Sequence, residues 1–267
     1  MIVRALFFVF VLLPYVAIGL PIQFLITRLN LPFWNALPLL FHRLACVCLG
    51  LRVTTIGRPE KNRPALLVSN HISWTDIIVI GSVIDVTFVA KSDIARWPVV
   101  GFMATMQKTI YVDRTRRRDP GRTSREMASR LASGGDVLLF AEGQSDIGTH
   151  VLPFRSSLVG SAQTAMIESG ARNVVIQPIA IAYTHLQGMP VSRNERAMIA
   201  WIKSKSVGEN IKDLLTGSVK SVTVAFGEPK PLSEAENRKA ITKRCEDEVR
   251  HMLVTLNRGG KLTIPTA

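Results

Sequence analysis

Cysteine is scarce: the 267-residue chain holds three, Cys46, Cys48 and Cys245. So few thiols build no disulfide framework, and their spacing supplies no zinc cluster. Cys46-x-Cys48 lies in an apolar stretch, and all three read as small buried hydrophobes. Acidic residues are also in deficit, 20 against 33 Lys and Arg, leaving a net charge of +13. That surplus asks for an anionic partner: nucleic acid, acidic lipid headgroups or an acidic carrier protein. The chain has no internal repeat and no long low-complexity linker. Apolar residues make up 47%, too many for a disordered chain. The length suffices for one well-buried domain and an appendage.

Charge is missing altogether from Ala5 to Thr27, and the run Leu6-Phe-Phe-Val-Phe-Val-Leu-Leu13 has the character of a lipid-facing helix. A bilayer core needs about 20 apolar residues, so the length is adequate. Pro14, Gly19 and Pro21 interrupt it, and a second apolar stretch, 31–51, follows with only His42 and Arg43 as polar breaks. A cleaved signal peptide is one reading, but the apolar character continues past any cleavage site. A single span is another, but basic residues lie on both sides of it, against the positive-inside rule. A kinked pair of helices dipping into one leaflet avoids both difficulties and is the favoured reading. A nucleic-acid binder would suit the charge. It would also show a reading element or stacking platform, and the apolar N-terminus argues against it, so no nucleic-acid partner is expected.

Beyond residue 51, short apolar runs alternate with amphipathic stretches. Strands are predicted at 65–69, 86–90, 109–112, 136–141, 174–182 and 222–226. Helices are predicted near 75–84, 94–106, 119–133 and 156–169. A last helix is predicted from Ser233, where Ser233-Glu-Ala-Glu236 reads as a capping box before an apolar stripe at Ile241, Cys245, Val249, Met252 and Leu256. The expected fold is α/β, a mixed sheet flanked by helices. It divides into a membrane-associating helical segment, 1–50, and an α/β domain, 51–267.

The first candidate for chemistry is Asn70-His71-Ile-Ser-Trp-Thr-Asp76, at the carboxyl end of a predicted strand, where α/β folds place their sites. On one continuous helix His71 and Asp76 would point roughly 140° apart. They meet only if His71 lies in the loop and the helix starts just after it, as Ser73-x-x-Asp76 permits. A carboxylate on one imidazole nitrogen fixes the tautomer and leaves the other nitrogen as general base. By spacing alone, a histidine that merely caps backbone groups is the commoner arrangement.

Four blocks in order change that balance: His71-x4-Asp76, Ile110-Tyr-Val-Asp-Arg114, Phe140-Ala-Glu-Gly-Gln-Ser145 and Val175-Ile-Gln-Pro-Ile179. Together they resemble the glycerolipid acyltransferase family, which includes the lysophosphatidic-acid acyltransferases, over about residues 50–230. The resemblance implies that His71 takes the proton from an acceptor hydroxyl, oriented by Asp76. The hydroxyl then attacks an acyl thioester directly, with no acyl-enzyme. It also implies acceptor binding by Asp113, Arg114, Glu142 and Gly143, with Gln144 and Ser145 in the same block, and a pocket shaped by Pro178.

The third block departs from the family's usual Phe-Pro-Glu-Gly-Thr-Arg, having Ala141, Gln144 and Ser145. An arginine is the natural bidentate partner of a phosphate monoester, and Ser145 cannot replace its charge, although Arg114 or Arg155 remain as cations. The segment Ala182-Tyr-Thr-His-Leu-Gln-Gly-Met-Pro190, with Arg193, Arg196, Trp201 and Phe226-Gly-Glu-Pro229, looks like the bacterial lyso-ornithine lipid acyltransferases. Their acceptor headgroup has no phosphate, in agreement with the lost arginine. A 1-acylglycerol-3-phosphate acyltransferase is the alternative, and a non-catalytic lipid-binding scaffold is the alternative of another class.

The basic run from Lys108 to Arg130 reads as a docking patch for anionic lipid headgroups or an acidic acyl-carrier protein, against the ordinary reading of a solvated helix face. Trp74 and Trp97 are candidates to wall an acyl channel, or else to pack in the core. His150 and His185 read as loop or surface residues, and oxyanion donors are sought among the backbone N–H groups around Glu142-Gly143-Gln144. The expected co-substrate is an acyl-carrier-protein or coenzyme A thioester, with no metal and no tightly bound cofactor. The expected place is the bacterial inner membrane with the site facing the cytoplasm.

Overall fold

A computed structural model describes residues 2–112, 120–169, 173–201, 209, 217–232 and 236–263. It begins with one apolar helical stretch of 27 residues, Ile2–Arg28. Within it α1 (Ile2–Phe7) and α2 (Leu13–Arg28) flank a π-helical turn at Phe8–Leu12. Pro14 lies inside this continuous stretch directly after the π-helical turn, where the ladder is already irregular and its missing N–H is accommodated. After the turn at 29–35, α3 (Ala36–Leu49) returns antiparallel: Tyr15 Oη donates to the Leu37 carbonyl at 2.8 Å, and Arg4 reaches back to the Leu49 carbonyl at 3.2 Å. Gly50 ends α3 in the left-handed region, φ 67°, and an added Cβ would meet the Arg4 guanidinium at 2.5 Å. Both conformation and closeness therefore call for glycine there.

The remaining elements alternate. In chain order they are β1 (Leu51–Ile56), β2 (Ala65–Ser69), α4 (Thr75–Val83), β3 (Thr87–Lys91), α5 (Val100–Met106), β4 (Ile110–Val112), α6 (Pro120–Ala132) and β5 (Val137–Phe140). There follow α7 (Ser156–Ser169), β6 (Val175–Leu186), β7 (Met189–Pro190), α8 (Arg193–Ile199), β8 (Lys220–Phe226), β9 (Lys230–Pro231) and, last among the described helices, α9 (Arg238–Asn257). The strands form one mixed sheet in the order β1-β8-β6-β2-β5-β3-β4, with β7 and β9 added to β6. Pairing is antiparallel where β6 meets β7, β8 and β9 and parallel elsewhere.

Side-chain alternation along each strand supplies two cores. Leu67, Leu138, Ile179 and Ile181 pack with α3 and α4 on one face. Leu66, Val68, Leu139 and Ile176 pack with α6, α7 and α9 on the other. Central β2 is buried along its whole length, the pattern of a parallel strand covered on both faces. The cysteines are free and buried, as their apolar surroundings implied.

The six expected strands are present, with β6 running four residues further than expected, to Leu186. β1, β7, β9 and α8 were not anticipated. The helix expected at 94–106 is instead a 3-10 turn, Ser92–Arg96, followed by α5. Pro98 breaks the pattern, since it lacks a donor and restricts Trp97 to extended backbone. The last helix starts at Arg238 rather than Ser233. Asn237 caps it by accepting from the Lys239 N–H at 2.8 Å. Ser233 lies outside the described residues, while Glu236 is engaged by Arg244.

Candidate active site

Asn70 fixes the chain as it leaves β2. Its side-chain amide donates to the Ile181 carbonyl at 3.0 Å and accepts from the Ile181 N–H at 2.9 Å, extending the β2–β6 pairing through a side chain. His71 then lies in the loop, and α4 begins four residues later, the one arrangement in which the five-residue spacing lets the pair meet. His71 Nδ1 is 2.9 Å from Asp76 Oδ2. The same oxygen accepts from the backbone N–H groups of Ile72 at 2.6 Å and Ser73 at 2.9 Å. Asp76 is thus the bonding centre of the loop as well as the partner of His71. The Ser73 hydroxyl, expected as a cap, makes no hydrogen bond; the Ser73 N–H is the group that engages Asp76.

The other carboxylate oxygen, Oδ1, accepts from the Tyr183 hydroxyl at 2.9 Å, and Tyr183 in turn meets Thr75 Oγ1 at 2.6 Å. Tyr183 is buried in β6, and burial raises its phenol well above the ordinary value. With Nδ1 committed, His71 Nε2 has no partner among the described residues, and the ring lies in the wall of a cavity of about 280 Å³. Its ring stacks on Phe140, centroids 4.1 Å apart. The cavity is mostly apolar, lined by Ile77, Phe88, Ile94, Trp97, Leu139 and Trp201 among others. Trp97 and Trp201 meet edge to face at 5.9 Å. Trp97 therefore lines the cavity, whereas Trp74 packs against the core.

Gly143, Gln144 and Ser145 line the cavity as well. The Gly143 N–H donates to the Phe140 carbonyl at 3.0 Å, so it is spent as an oxyanion donor. The Ser145 hydroxyl donates to the Trp201 carbonyl, and the Trp201 N–H to the Ile72 carbonyl at 3.0 Å. These two bonds fasten Trp201 over the histidine loop. Glu142 points elsewhere: Oε2 accepts from the His71 N–H at 3.0 Å and Oε1 from the Leu152 N–H at 2.9 Å. Burial pushes its carboxyl up to about 8, against the pull of those two N–H groups.

Pro178 is buried mid-strand and lines no part of this cavity. Its carbonyl accepts from the Gly227 N–H at 2.8 Å, just past the end of β8, where the ladder no longer needs the donor proline lacks. Asp113 and Arg114 lie outside the described residues. Arg155 donates from Nε to the Glu142 carbonyl at 3.3 Å and is not in the cavity wall. His150 is exposed beside Thr149, and His185 contacts Thr184. Sequence reasoning missed Tyr183 and Asn70 as parts of the site. A phenol directly after the apolar run 179–182 and an asparagine closing a buried strand were the available signals, each polar where burial demands a partner.

Residues 50–182 match the acyltransferase family model. The chain is 39% identical to a lyso-ornithine lipid O-acyltransferase of Brucella abortus, over 88% of this chain and 88% of that protein. This chain belongs to the acyltransferase family. A 1-acyl-sn-glycerol-3-phosphate acyltransferase of Neisseria gonorrhoeae is 31% identical, over 78% of this chain and 76% of its own. In fold, the acyltransferase resembles the crystal structure of the 1-acyl-sn-glycerophosphate acyltransferase of Thermotoga maritima. The TM-score is 0.68 at 20% identity, with 98% and 97% of the two chains covered. The acyltransferase is an enzyme, a lysolipid O-acyltransferase, and with its exposed apolar Ile2–Arg28 helix it is membrane-associated.

Proposed function

We propose that the acyltransferase moves a fatty-acyl group from an acyl-carrier-protein or coenzyme A thioester to the hydroxyl of lyso-ornithine lipid. In this mechanism His71 Nε2 takes the acceptor's hydroxyl proton as the oxygen attacks the thioester carbonyl. Asp76 holds the ring through Nδ1 and stabilises the imidazolium that forms. The tetrahedral intermediate collapses, the new ester stays on the lipid, and the thiolate leaves with the proton returned from His71. The apolar cavity beside the ring takes the acyl chain. No metal and no tightly bound cofactor enters these steps.

The observation that carries the acceptor assignment is the state of Ser145. Where the family commonly has an arginine, this hydroxyl is committed to the Trp201 carbonyl, and no arginine lines the cavity among the described residues. The charged groups in the wall are Lys91 and Asp93, of opposite sign. An amino-acid headgroup offers a carboxylate and an ammonium to such a pair; a phosphate monoester offers two negative charges. The similarity to the Brucella protein supports the same reading.

Residues 1–50 are proposed as the membrane-associating segment, with the last turns of α3 serving the sheet's core as well. At about 1.5 Å per residue the Ile2–Arg28 helix is about 40 Å long. A span would carry one end to the far side of the bilayer. Here Arg4 bonds the Leu49 and Gly217 carbonyls, and Gln23, near the other end, bonds the Met106 carbonyl at 3.4 Å. Both ends therefore sit on the catalytic domain, which favours a hairpin lying in one leaflet. Because the thioester donors are cytoplasmic, the proposed leaflet is the inner-membrane one facing the cytoplasm.

The test is a paired assay on membranes carrying the protein, offering labelled acyl-carrier-protein thioester with lyso-ornithine lipid or with lysophosphatidic acid. Transfer to the ornithine lipid alone is expected. Preference for lysophosphatidic acid would reject the acceptor assignment. His71→Ala should abolish product and leave membrane association intact; retained activity would reject the mechanism.

A further inference from the structure

We propose that Lys108, Arg130 and Trp34 form a binding site for the phosphodiester headgroup of an anionic phospholipid, at the turn of the N-terminal hairpin. The Trp34 carbonyl is held by Gln23 Nε2 at 2.7 Å, which fixes this turn from below. Two cations from different elements converge on the Trp34 ring. Lys108 Nζ lies 4.3 Å from the ring centroid, and Arg130 Cζ lies 5.2 Å from it. Neither cationic head has a hydrogen bond or ion pair among the described residues. The neighbouring carboxylate, Asp85, is engaged by Asn35 Nδ2 at 2.5 Å and attracts both cations from beyond ion-pair distance.

The ring contacts and the Asp85 charge leave both cations without a direct anionic partner among the described residues. Each ring contact is worth a fraction of what a salt bridge to a desolvated anion provides, and the two like charges repel across one indole. Lys108 closes the C-terminal end of α5 in the left-handed region, φ 58°, with the Thr109 N–H returning to the Ala104 carbonyl at 3.0 Å. Arg130 packs over Gly135, where an added Cβ would lie 2.6 Å from Arg130 Cδ. The fold thus brings two like charges together, and an anion between them turns their repulsion into a shared attraction.

The surroundings identify the occupant as a lipid. Leu29 and Phe33, in the same turn, are 65% and 52% exposed, and Phe24 and Leu25 before them are also exposed. Apolar side chains beside a cation pair and a half-buried indole are the composition of a membrane interface. None of the three residues lines the catalytic cavity, so this is not the acceptor site. The inference rests on membrane association and not on which lysolipid is acylated.

The test measures binding of the detergent-purified protein, diluted onto vesicles of neutral phosphatidylcholine with or without 30 mol% phosphatidylglycerol, in about 50 mM salt. Lys108→Gln/Arg130→Gln should lower the partition coefficient onto the anionic vesicles by about thirty-fold, from two cations near an anionic surface. Binding to neutral vesicles should stay the same, because the apolar hairpin carries it. Lys108→Arg/Arg130→Lys should restore the anionic preference. Lys239→Gln/Arg258→Gln removes the same charge at the two ends of α9, which covers the sheet face opposite α3, and should cost less than threefold.

Equal losses in the two charge-removing pairs would overturn the site in favour of diffuse attraction. An unchanged anionic preference in Lys108→Gln/Arg130→Gln would overturn it outright. So would full displacement from anionic vesicles by 10 mM inorganic phosphate at constant ionic strength, which would point to a soluble anion. Loss of binding to neutral vesicles by the unaltered protein would instead reject the hairpin's membrane role.

Discussion

Asp76→Asn isolates the charge of the Asp76–His71 pair from its geometry. Oδ2 receives three N–H donors, from His71, Ile72 and Ser73, and an amide oxygen in its place accepts all three. Oδ1 faces the Tyr183 hydroxyl, which can accept from an amide NH2 while giving its own proton to Thr75 Oγ1. The loop therefore survives the substitution and the negative charge does not. At the 2.9 Å separation of Asp76 and His71, with an effective dielectric of about 20, attraction between carboxylate and imidazolium is worth about 5–6 kcal/mol. The imidazolium is only partly formed in the transition state, so the turnover rate should fall by about 10³- to 10⁴-fold. The assay is single-turnover transfer from labelled thioester to lysolipid, with melting temperature and lysolipid binding measured in parallel. A loss under tenfold with the melting temperature preserved would refute the electrostatic role and leave Asp76 as a loop staple. Asp76→Ala, by contrast, strands three N–H groups and leaves the Tyr183 phenol with Thr75 Oγ1 alone. It should destabilise the protein itself, by about 1–3 kcal/mol for each buried group left unpaired.

Tyr183→Phe removes the bond to Asp76 Oδ1 and leaves the carboxylate charge undivided for His71. Turnover should fall about tenfold, and the rising limb of the pH–rate profile should move to higher pH; an unmoved limb would reduce Tyr183 to packing. Glu142 has its folded value raised to about 8 from 4.5 by burial, so between those values the folded state binds more protons than the unfolded one. Its contribution to stability is complete below about 4.5 and is lost as pH rises through about 8. The melting temperature should decline across that window more steeply in the unaltered protein than in Glu142→Gln, and parallel curves would remove Glu142 as the cause. Ser145→Arg should break the tie to Trp201 and restore a phosphate contact, shifting the ratio of lysophosphatidic-acid to lyso-ornithine-lipid transfer at least tenfold upward. An unchanged ratio would take Ser145 out of acceptor selection.

What could be read from the sequence divides along a physical line. Strands such as β2 and β5 showed themselves because burial on both faces forces uninterrupted apolar runs, and α7 because its ends coincide with changes in local character. β1 went unread because Arg52, Thr54 and Thr55 are exposed at the sheet edge and leave no apolar signature. The pairing of His71 and Asp76 was legible only through four ordered blocks, because the spacing by itself favoured a histidine that merely caps backbone groups. Their supports were not, because Tyr183 and Asn70 reach the loop from positions whose contacts span more than a hundred residues.

Glu142 marks the limit of reading roles from a motif. Its block places it among the acceptor-binding positions, yet both its oxygens are occupied by the N–H groups of His71 and Leu152, and it is buried behind the histidine loop. A side chain so engaged affects the acceptor only by setting where the His71 backbone lies. The physical demand here is the desolvation of a carboxyl group, offset only in part by two donors at about 3 Å, so its folded value stays raised. At Asp76 three N–H groups and a phenol meet the same demand and tie the histidine loop together. Position in the motif told where the carboxylates must be, and only the count of donors on each tells what each one does.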